Sequence, residues 1–224
     1  MASEEAGVAK RGIHVGVIGT GWIGEIRAKV AASHPLVEGL HLAEIDEARL
    51  ARVARETGAR TATTDYRELL RREEIDAIFI STTPETTHYP IARDCLMARK
   101  HTLLEKPMGL ALKEADEMMA LAREAGLKFT IGYTQRFNPK YAYVKKCVQD
   151  GTLGIPVTAL VSRNVSRSIG NKIGGRIRLS PAVMEATHDI DFILWCLDGV
   201  KPTRVYAQSL YRIIEQAHGV PDSS

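Results

Sequence analysis

Ile13-His14-Val15-Gly16-Val17-Ile18-Gly19-Thr20-Gly21-Trp22-Ile23-Gly24 is the stretch that decides the fold. Residues 13–19 make a short apolar run rich in β-branched side chains, the pattern of a strand covered on both faces. Gly19, Gly21 and Gly24 follow with G-x-G-x-x-G spacing, and residues 22–33 read as a helix. Strand, glycine turn and helix together supply the context that the motif needs to carry meaning. Gly19 permits a tight turn. Gly21 has no side chain to keep a diphosphate off the backbone, and Gly24 lets the helix approach the strand. The amides of this loop, with Thr20, Trp22 and Ile23 between the glycines, would then meet dinucleotide phosphates at the positive end of the helix dipole.

Working outward, residues 37–45 read as a second strand. An acid near its end, about 20 residues past the last glycine, is expected to accept from the ribose hydroxyls. Glu44 occupies that position and Asp46 follows closely. A carboxylate there repels a 2′-phosphate, so NAD is favoured, with NADP left open; the alternative is a merely solvated Glu44. Residues 46–57 read as a helix stopped by Gly58, and residues 66–72 as a short helix. Residues 75–81 make another buried strand. Thr83 then reads as an N-cap and Pro84 as the first residue of a helix reaching about residue 100. Residues 101–105 are a strand. Leu112, Ala115, Met119 and Ala122 mark one helix face ending near Gly126, and residues 128–133 are the next strand.

Such alternation predicts the α/β class, with a doubly wound parallel sheet over residues 1–130. The pattern then changes. A helix over 139–149 precedes a long strand over 155–165. A helix over 181–197 has Ser180 as cap and Gly199 as stop, and a further long strand lies in 201–215. Residues 131–224 are therefore expected to form an α+β domain.

Composition narrows the function. The chain has 224 residues, 45% of them hydrophobic and 25% charged, with a net charge of +3. Such a balance supplies no global basic field for gripping nucleic acid. No run approaches the length of a membrane span, and residues 1–12 lack the apolar middle of a signal peptide. Three scattered cysteines fit reduced thiols, which places the protein in the cytoplasm. Arg163, Arg167, Lys172, Arg176 and Arg178 fall together without an acid. They are either a solvated loop or a lid that attracts an anion.

Three places could carry chemistry. Glu105-Lys106-Pro107 ends a strand, where open parallel sheets bind ligands. Ser81, Thr82, Thr83 and Pro84 begin the turn after the strand over 75–81, where main-chain amides could face a dinucleotide. His88 in that segment is either a ligand contact or a helix-surface residue. Glu185, His188 and Asp191, spaced three apart, would share one helix side. A histidine between carboxylates suits general base work, and a buried structural histidine is the alternative. Glu185-x-x-His188 also matches half of a di-iron site, but no second such motif is present, so no metal is expected.

Together these segments resemble the glucose–fructose oxidoreductase / inositol dehydrogenase / MocA family. The resemblance rests on VIGTGWIG (17–24), TTPETTH (82–88), LLEKPMGL (103–110), IGYTQRFNP (131–139), DGTLGIPV (150–157) and THDIDFILWCLDG (187–199). It implies a Rossmann domain followed by an α+β domain with a large, mostly antiparallel sheet that often makes the oligomer contact. That sheet would be incomplete in a chain of this length. It also implies a homodimer or homotetramer and oxidation of a secondary alcohol on a sugar, cyclitol or related polyol.

In that reading Lys106 is the active-site lysine beside the nicotinamide, flanked by Glu105 and a cis bond to Pro107. His188 accepts the substrate's proton, and Arg136 lies near the nicotinamide end. Many members carry an aspartate four residues before the histidine. Here that residue is Met184, and Glu185 would serve from the same side. Arg163, Asn164 and Arg167 are candidates for substrate recognition. Two other readings compete: an NAD(H)-binding regulatory module without turnover, and a glycoside-processing enzyme that recycles NAD.

Overall fold

Six short parallel strands organise the first part of the chain: β1 (Ile13–Ile18), β2 (Val37–Ala43), β3 (Thr61–Thr63), β4 (Ile75–Ile80), β5 (His101–Leu104) and β6 (Phe129–Ile131). They form one sheet in the order β3-β2-β1-β4-β5-β6. In register, Val17 sits between Leu42 of β2 and Phe79 of β4. The chain runs outward from β1 in one direction and from β4 in the other, so the switch point of the sheet lies between them. The structure, a computed structural model, describes residues 12–164 and 182–208. The chain divides into two compact units, Met1–Ile131 and Gly132–Ser224.

Alternate residues of each strand feed two apolar layers. Val15, Val17, Leu40 and Leu42 pack with Ala28, Ala31, Leu50 and Val53 of α1 (Trp22–Ser33) and α2 (Glu47–Thr57). On the other face, Ile18, Ile75, Ile78, Ile80 and Leu104 pack with Leu69 of α3 (Tyr66–Leu70). Ile91, Ala92, Cys95 and Leu96 of α4 (His88–Met97) join them, with Met118 and Ala122 of α5 (Leu112–Glu124). Each fully buried aliphatic contributes about 1.5–3 kcal/mol. This double covering is why the strands read as unbroken apolar runs rather than as alternation. Asp46 caps α2 by accepting from the Arg49 amide at 2.9 Å, and Gly58 ends it with φ +65°.

Four expectations for this unit are corrected. β3 was not anticipated: three residues, two of them threonine, carry too little pattern, and the strand exists because β2 offers it a ladder. Pro84 does not open the helix. The Thr83–Pro84 bond is cis, a 3-10 turn covers Glu85–Thr87, and α4 starts at His88. The α5 face turns on Met118 and Ala122, whereas Leu112 and Met119 are exposed. Adjacent methionines leave the face ambiguous to periodicity alone. His88 is not a surface residue, being 1% exposed.

The second unit contains a 3-10 turn at Thr134–Phe137, α6 (Pro139–Gln149), a π-helical turn at Ala182–Ala186 and α7 (Thr187–Cys196). Asn138 caps α6 by accepting from the Lys140 amide at 3.0 Å, with Pro139 in the first turn. Buried Lys145 of α6 donates to the Trp195 carbonyl of α7, and the Tyr141 and Phe192 rings meet edge-on at 4.7 Å. No strand occurs among the described residues of this unit. The expected strands over 155–165 and 201–215 are therefore corrected for 155–164 and 201–208. None of these residues pairs as a strand, and Ile155, Val157 and Leu160 are almost fully exposed. A strand requires a neighbour to hydrogen-bond, and none lies beside them among the described residues. Residue 165, residues 209–215, the Ser180 cap, Arg167, Lys172, Arg176 and Arg178 lie outside the described residues.

Candidate active site

The loop after β1 has the shape a diphosphate requires. Gly19 adopts φ +82°, and a Cβ there would press on the Ser81 carbonyl at 2.8 Å. A Cβ on Gly24 would stand 1.8 Å from the Gly19 carbonyl oxygen, so α1 lies directly on the turn. A Cβ on Gly21 would meet nothing within 4 Å. Gly21 is the N-cap of α1 and offers no side-chain acceptor, which leaves the first-turn amides for a ligand. Across the switch point, Ser81 Oγ and Glu85 Oε2 are buried without a hydrogen-bond partner among the described residues. An open main-chain cradle bordered by orphaned polar atoms fits a dinucleotide.

Glu44 stands just past β2, 6% exposed. Its Oε2 accepts from the Thr20 amide at 2.7 Å and the Thr20 hydroxyl at 3.2 Å, and its Oε1 accepts from the Asp46 amide at 3.1 Å. Arg49, one turn into α2, lies 3.3 Å from it. Burial works to raise this carboxyl, but the Asp46 and Thr20 amides and the Arg49 guanidinium outweigh it and hold it below the usual range. Glu44 thus ties the end of β2 to the glycine loop. The spacing from Gly24 points to Glu44, but neither this tie nor the Arg49 contact has a signal in the sequence.

Two turns flank the other side. His88 Nδ1 lies 2.7 Å from the Pro107 carbonyl, and its Nε2 lies 3.1 Å from the Thr82 carbonyl. The imidazole therefore staples the turn after β4 to the turn after β5. Thr82 and Thr87 share a 2.7 Å hydroxyl contact. Thr83 and Pro84 are exposed. Lys106 follows β5, half-buried, and its bond to Pro107 is cis, as the resemblance implied. Glu105 accepts from Arg27 of α1 and, through Oε2, from the Lys106 amide at 3.2 Å. Arg27 had no signal in the sequence: it stands 78 positions from its partner.

In the second unit, Glu185 lies in the π-helical turn, while His188 and Asp191 lie on α7. Glu185 approaches Arg163 at 3.9 Å. Arg163 pairs chiefly with Asp189, donating through Nη2 at 2.8 Å and through Nε. Asp191 is buried and accepts from Arg136 Nε at 2.9 Å and Nη2 at 2.6 Å. This pairing holds Arg136 above the usual guanidinium range. Arg136 also lies over the Tyr133 and Trp195 rings, at 5.9 and 5.6 Å. His188 meets Tyr133 edge-on at 6.3 Å. Asn164 is exposed. Among the described residues no group of acids, histidines and cysteines could hold a metal, and no helix is long and apolar enough to cross a membrane.

A sheet of this order with this cradle defines a dinucleotide-binding fold. Comparison with known proteins makes the class specific: the chain belongs to the oxidoreductase family with the NAD-binding Rossmann fold, whose model matches residues 13–133. The cofactor of the first unit is accordingly NAD.

Among curated relatives, inositol 2-dehydrogenase of Rubrobacter xylanophilus is 32% identical over 83% of this chain and 52% of its own length. Myo-inositol 2-dehydrogenase of Thermotoga maritima is 29% identical over 68% of this chain and 46% of its own. Among solved structures, apo scyllo-inositol dehydrogenase from Lactobacillus casei superposes with a TM-score of 0.73 at 25% identity. The match covers 84% of this chain and 55% of that one. Myo-inositol 2-dehydrogenase from Lactobacillus plantarum gives 0.71 at 27% identity, over 83% and 56%. The chain spans about half the length of the curated relatives it matches.

Proposed function

We propose that this protein is an NAD-dependent dehydrogenase acting on a secondary alcohol of a cyclitol, sugar or related polyol. The observation that carries the reading is Lys106, set on a stapled turn at the carboxyl end of β5, in the same unit as the glycine cradle. Relatives named as inositol dehydrogenases support the substrate class. Bound NAD would supply the hydride acceptor. Lys106 orients the substrate hydroxyl and stabilises the charge that develops on its oxygen. His188 takes the hydroxyl proton. Arg136 and Asp191 position α7 rather than react, since both carboxylate oxygens of Asp191 are engaged.

In this proposal residues 1–130 bind NAD, while residues 131–224 serve substrate and oligomer contacts, with Glu185, Arg163 and Asn164 nearest to recognition. The protein acts in the cytoplasm as a homodimer or homotetramer. The test is a panel of cyclitols, aldoses and acyclic polyols mixed with the intact protein and NAD, followed by reduced-nicotinamide absorbance. Time-dependent reduction with at least one cyclic polyol is expected. Tight NAD binding without reduction by any member of the panel would overturn the proposal.

A further inference from the structure

Arg27 stands one turn past Gly24 on α1, and its guanidinium donates to Glu105 Oε1. The second carboxylate oxygen of Glu105 accepts the Lys106 amide at 3.2 Å. The two charged side chains are each only 14% exposed. The Glu105 amide is itself fixed to the Ile80 carbonyl at 2.9 Å, which continues the β4–β5 ladder into the turn. A rigid strut therefore runs from the glycine-loop helix through one carboxylate to the backbone of Lys106.

The strut is not explained by stability alone. Arg27 Nε is buried without a partner among the described residues, so the guanidinium is retained at a place where it is only half satisfied. Sites that break local rules in this way tend to be functional ones. We propose that Arg27 is the positioning residue for Lys106, acting through Glu105. This rests on the reading of Lys106 as the active-site lysine.

The physical role has two parts. Arg27 keeps the Glu105 carboxylate turned so that it accepts the Lys106 amide, which sets where the lysine side chain leaves the turn. It also neutralises that carboxylate. Without Arg27, a poorly solvated anion would be left one residue from Lys106, against its backbone amide. Because Arg27 belongs to α1, a shift of the glycine loop is transmitted directly to the lysine.

The test uses the intact protein with NAD and a polyol that it oxidises, comparing wild type with Arg27→Met, Arg27→Lys, Glu105→Gln and the Arg27→Met/Glu105→Gln double variant. Arg27→Met is expected to lower kcat roughly tenfold or more. It should also move the limb of the pH profile of kcat/KM by about one pH unit, the effect of exposing one nearby charge. NADH affinity should stay within about threefold, because no cradle amide is touched. Arg27→Lys restores most of the rate. The double variant returns the pH profile to that of wild type, since the exposed charge is gone.

An Arg27→Met protein with wild-type kcat and pH profile overturns the inference. So does a double variant whose profile stays displaced, which would mark a purely structural role. If Arg27→Met does not fold, Glu105→Gln decides: wild-type kcat in that variant overturns it. Lys106→Met separates the two levels. Wild-type turnover in that variant defeats the reading of Lys106 itself. A dead Lys106→Met beside an unaffected Arg27→Met defeats only the positioning role.

Discussion

Replacing Gly21 by alanine should weaken dinucleotide binding by orders of magnitude while leaving the protein as stable as before. Gly21 has φ −62°, which any residue adopts, and a Cβ there meets nothing within 4 Å. Alanine is a poorer N-cap than glycine, a cost of about 0.5 kcal/mol. It also restricts the unfolded chain, a gain of about 0.4–1 kcal/mol. The two offset, so the unfolding free energy should change by no more than about 0.5 kcal/mol.

The ligand has no such latitude. A methyl group on the loop pushes the diphosphate outward by roughly one bond length, about 1.5 Å. That breaks two charge-assisted bonds to first-turn amides, each contributing about 1.5–3 kcal/mol. Affinity should fall by about 10² to 10⁴-fold. Gly24→Ala is the contrast. Its Cβ would lie 1.8 Å from a backbone oxygen that cannot move aside. It should therefore lose binding and at least 1–3 kcal/mol of stability, on the order of other overpacked sites. Calorimetric titration with NADH and thermal melts of both variants report the two quantities. Gly21→Ala binding NADH as tightly as wild type, or Gly24→Ala melting with wild type, would refute the reasoning.

Two further outcomes follow from buried groups away from the cradle. Burial, then the neighbouring His14, lowers the affinity of His41 for a proton, with Glu74 opposing and Arg72 and Arg60 adding to the effect. His14 Nδ1 lies 3.0 Å from His41 Nε2, and Thr61 Oγ1 lies 2.9 Å from His41 Nδ1. The folded protein thus takes up this proton only below the unfolded value of about 6.5, so stability is full above that pH and falls as pH drops through it. Melting temperature against pH should bend downward there, and His41→Gln should remove most of the bend; an unchanged curve contradicts the assignment.

Asp191→Asn should cost about 1 kcal/mol, because Arg136 is 42% exposed and solvent replaces part of the lost pair. Denaturant melts check it, and no loss of stability would mean that the pair does not hold α7.

The parts legible in the sequence were those fixed by one residue's sterics. The glycine loop was readable because each glycine answers a local demand, and the strand end before Lys106 because its apolar run stops there. What escaped depends on contacts across the fold. β3 exists only beside β2. Glu44 could be chosen from its distance to Gly24, but its bond to the Thr20 amide could not. Met118 and Met119 offer the same pattern to opposite faces, and only the sheet beneath α5 selects between them. The cis bond at Lys106–Pro107 came from resemblance, while the one at Thr83–Pro84 was misread as a helix start. Arg27 and Glu105 carry no mutual signal over their separation. In the second unit, apolar runs were read as strands, but a run is only a candidate until a neighbour pairs with it.

Hydride transfer itself is tested most directly with a cyclitol bearing deuterium on its carbinol carbons, mixed with the intact protein and NAD. Mass spectrometry of the reduced cofactor should find one deuterium in each NADH, carried over from the substrate carbon. Reduced cofactor without deuterium, or none at all while NAD is bound, would contradict the account.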